Sequence, residues 1–420
     1  MRAVLIAALT AVVLAAPARA EGSREEAAAA DLQDICDADH GRLWGLSLCG
    51  PLLVVEGAPR AAWANQQDAA GVLTRDGAGW RGVLPDGIPV ANTSIEWGGQ
   101  RWIMVVAPLP EDDVELRVLV AHEAWHRIQS ALGLAAQNST CAHLETERGR
   151  YLLRLELRAL RQALQASGPA RWRAARDALA FRSARLREFP AAAADEAALD
   201  RNEGLASYTG VKLGAGDQAF AYAAHTLEIY DARDAYARSY AYASGPAYGL
   251  LLDARRPGWR GALGAEAPAG ILARAMAERA HFDFAAAEAR YGGAALAAQE
   301  HERAEAQAAR VAVLRARYSA EPRLVLALQS MQMEFNPNAV TPIEGLGGVY
   351  GVLTIRDVWG ELRATEGALI SEDFQQVVAA APDATGLAGP GWTLALRPGY
   401  QVSAPDADGV RRLEPIATAP

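Results

Sequence analysis

The sequence predicts an α+β fold in three parts, on three observations. Residues 31–110 are rich in Gly, Pro, Trp and short β-branched runs. Residues 112–320 are dominated by Ala, Leu, Arg and Glu at helical spacing, and beyond 321 short alternating runs return between turns. With 420 residues, 51% hydrophobic and 22% charged, the chain is long enough for two or three domains, and its composition excludes collagen-like, coiled-coil and disordered classes. The expected division is a leader over 1–20, a small β-rich part over 21–110, a mostly helical domain over 111–320 and a small β-sandwich over 321–420.

The elements follow in order. Residues 1–20, MRAVLIAALTAVVLAAPARA, set a basic Arg2 before an apolar run of 13 residues, Val4 to Ala16, and end in Ala18-Arg19-Ala20. That pattern reads as a secretory signal peptide cut after Ala20, which implies a periplasmic or secreted chain. Later segments offer no 18 uninterrupted apolar residues, so no permanent membrane span is expected. In oxidising surroundings Cys36 and Cys49 close a short loop and form the preferred disulfide, with Cys141 left over.

Leu52–Val55, Ser94–Trp97 and Trp102–Val106 read as strands, with turns at Asp76-Gly77 and Gly98-Gly99. About seven helices fill the middle region. In the last part Val349–Ile355, Glu361–Thr365 and Trp392–Leu396 read as strands, with Trp359 and Trp392 as core aromatics. Gly345-Leu346-Gly347-Gly348 is a turn rather than a phosphate loop, because no Lys-Ser/Thr follows it. The net charge of −9, with Lys212 the only lysine, argues against a nucleic-acid partner.

Chemistry concentrates in His122-Glu123-Ala124-Trp125-His126. Histidines at i and i+4 lie on one helical face, so both imidazoles can hold one ion. Glu123, about 100° further round, is placed to take a proton from water rather than to ligate. Zinc lowers the pKa of a water it holds towards about 7, which makes that proton available. Asp112 and Asp113 suit the start of this helix, and Val114, Val118, Leu119, Val120 and Ile128 predict that most of it is buried.

A zinc site needs a third protein ligand. His40, His143, His225, His281 and His301 have weak cases from their surroundings, which leaves carboxylates: Glu145, with 18 residues between it and His126, Glu147 and Glu156 near it, and Glu203. Glu203 stands in Asn202-Glu203-Gly204-Leu205-Ala206-Ser207-Tyr208. Together with the His-Glu-x-x-His run, this segment resembles the gluzincin metallopeptidases, and in particular the NEGFA-type segment of their alanyl-aminopeptidase-like members. The resemblance is at motif level, over about 120–250, and implies a zincin-like catalytic domain with Zn2+ held by His122, His126 and Glu203. The segment lies 76 residues beyond His126, further than in those members, and Tyr151–Phe189 reads as an inserted helical hairpin.

Tyr242-Ala243-Ser244-Gly245 resembles the Tyr-x-x-Gly segment of the same family, in which the tyrosine hydroxyl stabilises an oxyanion. Tyr242 takes that role by resemblance, with Tyr240, Tyr248 and Tyr208 as rivals. Asp200 and Asn202 are candidate acceptors for the ligand imidazoles. The strand pair over Asn92–Pro108 would suit the edge strand that gluzincins use to align an extended peptide. The expected function is therefore an exported zinc metallopeptidase acting on a peptide or protein substrate, with Glu123 as general base. The alternatives are a zinc amidase acting on cell-wall or other amides, and a non-catalytic envelope binding protein.

Overall fold

The computed structural model describes residues 23–416 apart from 58, 138, 265, 277–281 and 337–338. The leader expected over 1–20 and His281 lie outside the described residues. The fold is α+β, with sheets near both ends and ten α-helices between them among the described residues. No helix among these residues is long and apolar enough to cross a membrane. Contacts divide the chain between Gly293 and Ala294, so the helix Gly293–Ser319 falls with the second unit, whereas the sequence places that division after 320.

The first unit opens with a helix that composition alone had hidden. Helix α1, Arg24–Asp39, starts at a reciprocal cap in which Ser23 Oγ accepts from Glu26 N–H and the Glu26 carboxylate accepts from Ser23 N–H. Cys36 near its end is bridged to Cys49, with Cα atoms 5.5 Å apart, as expected. Cys141 is free and buried. The looped segment inside the bridge carries Trp44, whose ring meets Trp125 at 6.0 Å and Tyr208 at 6.3 Å, and whose Nε1–H donates to Thr209 Oγ1 at 2.9 Å.

A six-stranded sheet follows. It comprises β1 (Leu52–Glu56), β2 (Ala61–Ala64), β3 (Thr74–Asp76), β4 (Gly79–Val83), β5 (Thr93–Trp97) and β6 (Gln100–Ala107), in the order β3-β4-β2-β1-β6-β5. β1 and β6 run parallel, and the other pairs are antiparallel. Leu53, Val55, Trp102 and Met104 close a core on one face. Strand alternation turns Val54, Ile103 and Val105 to the other face, where they are equally buried. β5 is the sheet edge, and Ser94 Oγ donates to the His126 carbonyl at 3.1 Å, which pins that edge to the motif helix.

That helix is α2, Asp113–Gln129, capped by Asp112 Oδ1 accepting from Glu115 N–H at 2.9 Å. Its buried face runs through Leu116, Val120, Ala121, His122, Glu123, Ala124, Trp125 and Ile128, while Val114, Val118 and Leu119 are only partly covered. α3 (Glu147–Gln165) and α4 (Gly168–Glu188) form the expected hairpin. α5 (Ala193–Leu199), a π-helical turn (Asp200–Gly204) and α6 (Leu205–Gly214) follow as one run, then α7 (Ala219–Asp231) and α8 (Ala241–Arg255). α8 includes the whole Tyr-x-x-Gly segment, which therefore lies in its first turns instead of ahead of it.

The hairpin is stitched into the interior by buried charge. Arg185 Nε and Nη2 donate to the two Glu196 oxygens at 2.7 and 2.9 Å, and its Nη1 to Glu156 at 2.5 Å. Arg182 Nη2 donates to Asp200 at 2.6 Å, and His143 Nε2 lies 2.8 Å from Glu196. Burial opposes every one of these charges. Burial pushes up the Glu196 carboxyl, but the two guanidiniums outweigh it and hold Glu196 well below the usual range. Asp200 is the carboxylate in excess over the two arginines, and burial pushes it up to about 6.

The second unit is a sandwich, as the sequence predicts. A seven-stranded and a five-stranded sheet share one core, in which Leu324, Leu326, Ile370 and Val377 of the first meet Leu353, Ile355, Leu362 and Trp392 of the second. Trp359 and Trp392 are both buried and donate to the carbonyls of Ala327 and Ala380. The expected single strand Val349–Ile355 is two. Gly347–Tyr350 belongs to the larger sheet and Leu353–Asp357 to the smaller, with a bend at Gly351 and an exposed Val352 between them. Val349, Tyr350, Leu353 and Ile355 are buried on either side of exposed Val352, so the apolar run carries no mark of the break.

Removing one partner from a buried ion pair leaves the other charge uncompensated, at a cost of about 3–5 kcal/mol. Arg185→Leu should therefore lower unfolding stability by roughly that amount in chemical denaturation. A loss below about 1 kcal/mol would show that the charge cluster does not hold the hairpin.

Candidate metal centre

Helix packing brings the predicted residues together. α6 lies on α2 through Gly210 and Gly214, where a Cβ would fall on the Val118 backbone. The i, i+4 spacing of these glycines puts both on the face that meets α2. α8 approaches in the same way, because a Cβ on Gly245 would strike the Gly204 backbone. These contacts set Glu203, in the π turn, over the two histidines and bring Tyr242 beside them. A π turn widens the helix by one residue, a feature common at functional sites.

His122 Nε2 and His126 Nε2 are 3.2 Å apart. Glu203 Oε2 lies 3.3 Å from the first and 3.6 Å from the second. A tetrahedral cation about 2.0–2.1 Å from its donors holds them about 3.3 Å apart, close to the triangle seen here. Glu123 Oε1 stands outside the triangle, 3.9 Å from His122 Nε2. His122, Glu123 and His126 themselves form a group able to hold a metal ion. The donor set also fits one by what it leaves: Glu123 Oε2 is buried with no hydrogen-bond donor, and Glu203 Oε2 is buried facing the two imidazole nitrogens.

The other face of this triangle is fully tied. Asn202 Nδ2 donates to Glu203 Oε1 at 2.9 Å, and Gln129 Nε2 donates to Asn202 Oδ1 at 2.8 Å. Gln129 Oε1 lies 2.9 Å from His126 Nδ1. A carboxylate only accepts, so the Asn202 amide must present its nitrogen to Glu203 and its oxygen to Gln129. Gln129 is fixed the same way and turns its oxygen to His126, whose Nδ1 therefore carries a proton and whose Nε2 faces His122 and Glu203. Ser207 Oγ is 3.2 Å from His122 Nδ1 and serves the second ring. Gln129 and Ser207 were not singled out from the sequence; their offsets, His126 + 3 and Glu203 + 4, are single-turn helical spacings that could have found them.

Burial pushes the Glu203 carboxyl up, but hydrogen bonding and charge from His122 and His126 outweigh it and hold it well below the usual carboxylate range. Burial raises Glu123 above that range, opposed by the two histidines and reinforced by Glu203. Tyr242 is stacked on His122, with centroids 5.5 Å apart and planes 3° from parallel. Burial first, then the Glu203 charge, raises its phenol far above the ordinary value, so it stays a donor.

The remaining candidates lie elsewhere. Glu145 Oε1 accepts from the backbone N–H groups of Tyr236 and Ala237 at 2.7 and 2.8 Å. Glu147 is exposed, and Glu156 belongs to the arginine cluster. Tyr240, Tyr248 and Tyr208 donate to Asp200, Glu156 and Asp253. Asp200 pairs with Arg182 and Tyr240 rather than with an imidazole, a correction to its expected place, because the hairpin arginine claims it. Asn202 acts one step removed, through Gln129. His143 joins the charge cluster, and His40, His225 and His301 are exposed.

The centre opens on a cleft of about 670 Å³, also lined by Ala91, Asn92 and Thr93 of the sheet edge, by Val118 and Leu119 of α2, and by Tyr222 and Tyr230 of α7. Comparison with protein-family models, with curated proteins and with solved structures finds no match to this chain.

Gly245→Ala should lower stability by about 1–3 kcal/mol, because the added methyl must push α8 off the Gly204 backbone. Gly261→Ala, where nothing lies within 4 Å of the new methyl, is the control and should stay within about 0.5 kcal/mol of wild type. Equal midpoints for the two variants in thermal unfolding would contradict the close approach.

Proposed function

We propose that the chain is an exported zinc metallopeptidase that hydrolyses peptide bonds in the cleft below β5. One observation carries the reading. A buried carboxylate oxygen converges with two imidazole nitrogens at 3.2–3.6 Å, and the Glu123 carboxylate stands beside them. The resemblance to gluzincins at His122-Glu123-x-x-His126 and Asn202-Glu203-Gly204 supports it, and the leader over 1–20 supports export.

His122, His126 and Glu203 would hold the ion, and nitrogen and oxygen donors in this number suit zinc with one position left open. Bound zinc polarises a carbonyl and makes water a better nucleophile near neutral pH. The chain's own residues do the rest. Glu123, raised by burial, accepts the proton of the attacking water and returns it to the departing amine. Tyr242, kept protonated, donates to the carbonyl oxygen as negative charge gathers there. The free edge of β5 offers backbone donors and acceptors to an extended peptide beside Asn92 and Thr93. Gln129, Asn202 and Ser207 keep the imidazoles and the carboxylate turned inward.

Wild-type protein supplied with zinc should cleave casein or a mixed peptide library, and Glu123→Gln should lose at least about a hundredfold in kcat while retaining zinc. Cleavage by Glu123→Gln at the wild-type rate would sink the mechanism. Gln129→Ala should weaken zinc binding roughly 10–100-fold in a chelator competition, since it frees the His126 ring and the Asn202 amide together. Unchanged affinity would show that this amide chain does not orient the ligands.

A further inference from the structure

The same cleft holds a charged group that the mechanism above does not use. Arg233 lines it, just past the end of α7. The guanidinium lies over the Tyr230 ring, 3.9 Å from its centroid. Its backbone is fixed as well: Arg150, itself buried, donates to the carbonyls of Arg233 and Asp234 at 3.0 and 2.7 Å, and Arg233 N–H donates to the Tyr230 carbonyl at 3.2 Å.

Asp234, next in the chain, is exposed and makes no ion pair with Arg233, and two nearby acids pair with other arginines. Asp231 accepts from Arg154 and Arg158 at 2.9 Å each, and Glu228 pairs with Arg161 at 2.8 Å. Among the described residues no carboxylate pairs with Arg233. A stacked, backbone-anchored guanidinium is preorganised, so little freedom is lost when an anion arrives. Tyr230 and Arg233 line the same cleft as Glu203. The carboxylates that line the cleft are Glu115, Glu123 and Glu203. Glu115 acts on Tyr222, eight residues before Tyr230 on α7, which is about 12 Å along the helix.

We infer that Arg233 is a specificity residue that binds a carboxylate of the substrate, at the α7 C-terminal end of the cleft. The inference rests on the peptidase reading for the kind of substrate. Arginine's planar fork matches a carboxylate with two parallel hydrogen bonds, which a lysine ammonium would not supply. The carboxylate can be the substrate's own C-terminus or an Asp or Glu side chain, and both present the same chemistry to the guanidinium.

The test uses three fluorescein-labelled peptides that differ only in charge: one with a free C-terminus and neutral side chains, one amidated with a single Glu, and one amidated and neutral. Each is titrated by fluorescence anisotropy, with zinc present, into the Glu123→Gln chain and into that chain carrying Arg233→Ala or Arg233→Glu. At least one carboxylate peptide should bind roughly tenfold more tightly than the neutral one, and which of them does so names the source. Arg233→Ala should abolish that advantage and Arg233→Glu should reverse it, with thermal midpoints unchanged because Arg233 is exposed. Equal binding of all three peptides, a preference that survives Arg233→Ala, or no binding of any peptide would overturn the assignment. Cleavage of the same peptides by the wild-type chain is read separately. Charge-dependent binding without cleavage keeps Arg233 and removes the peptidase, and cleavage without charge dependence does the reverse.

Discussion

Three polar atoms turn towards one point inside the first unit, and they face one another there. Two are imidazole nitrogens whose rings are committed through their other nitrogen, and the third is a buried carboxylate oxygen. Lone pairs gathered at 3.2–3.6 Å out of water repel one another unless a cation or a proton sits between them. The surrounding structure is arranged to keep them there. Gly210 and Gly214 let α6 lie on the α2 backbone, Gly245 lets α8 lie on Gly204, and the amide chain Gln129–Asn202 transmits the Glu203 charge to the choice of tautomer at His126.

The hairpin of α3 and α4 explains how Glu203 can be so far along the chain and still arrive. The hairpin is itself part of the buried interior. Arg182 and Arg185 turn inward from α4 to Glu156, Glu196 and Asp200, and Asp200 begins the π turn that ends at Gly204. The hairpin therefore grips the turn that carries Glu203 by its first residue. Buried arginine–carboxylate clusters are costly to desolvate, and their use here at the base of the turn fixes its position rather than adding to stability.

Much of this was legible in the sequence. The periodic residues of α2, its Asp112 cap, the Cys36–Cys49 bridge and the strands at 52–56, 93–97 and 100–107 follow from local pattern. The two histidines were legible because their spacing alone puts them on one face. Other features depend on partners far away in the chain. Asp200 could not be assigned without knowing that Arg182 would reach it, and Glu145 could not be set aside without the backbone of Tyr236 and Ala237 in front of it. Helix α1 is marked in the sequence only by the Ser23–Glu26 capping box, because the stretch that follows it is rich in Gly and Trp. Val349–Ile355 reads as one strand because the Gly351-Val352 bend between the two sheets carries no polar side chain.

The central claim, that Glu203 completes a metal centre with His122 and His126, is tested most directly by the zinc content of purified chain after loading and gel filtration, for wild type, Glu203→Ala and Glu145→Ala. The account predicts about one zinc per chain in wild type and in Glu145→Ala, and a clear loss in Glu203→Ala. Zinc retained in Glu203→Ala, or absent from all three proteins, would contradict it.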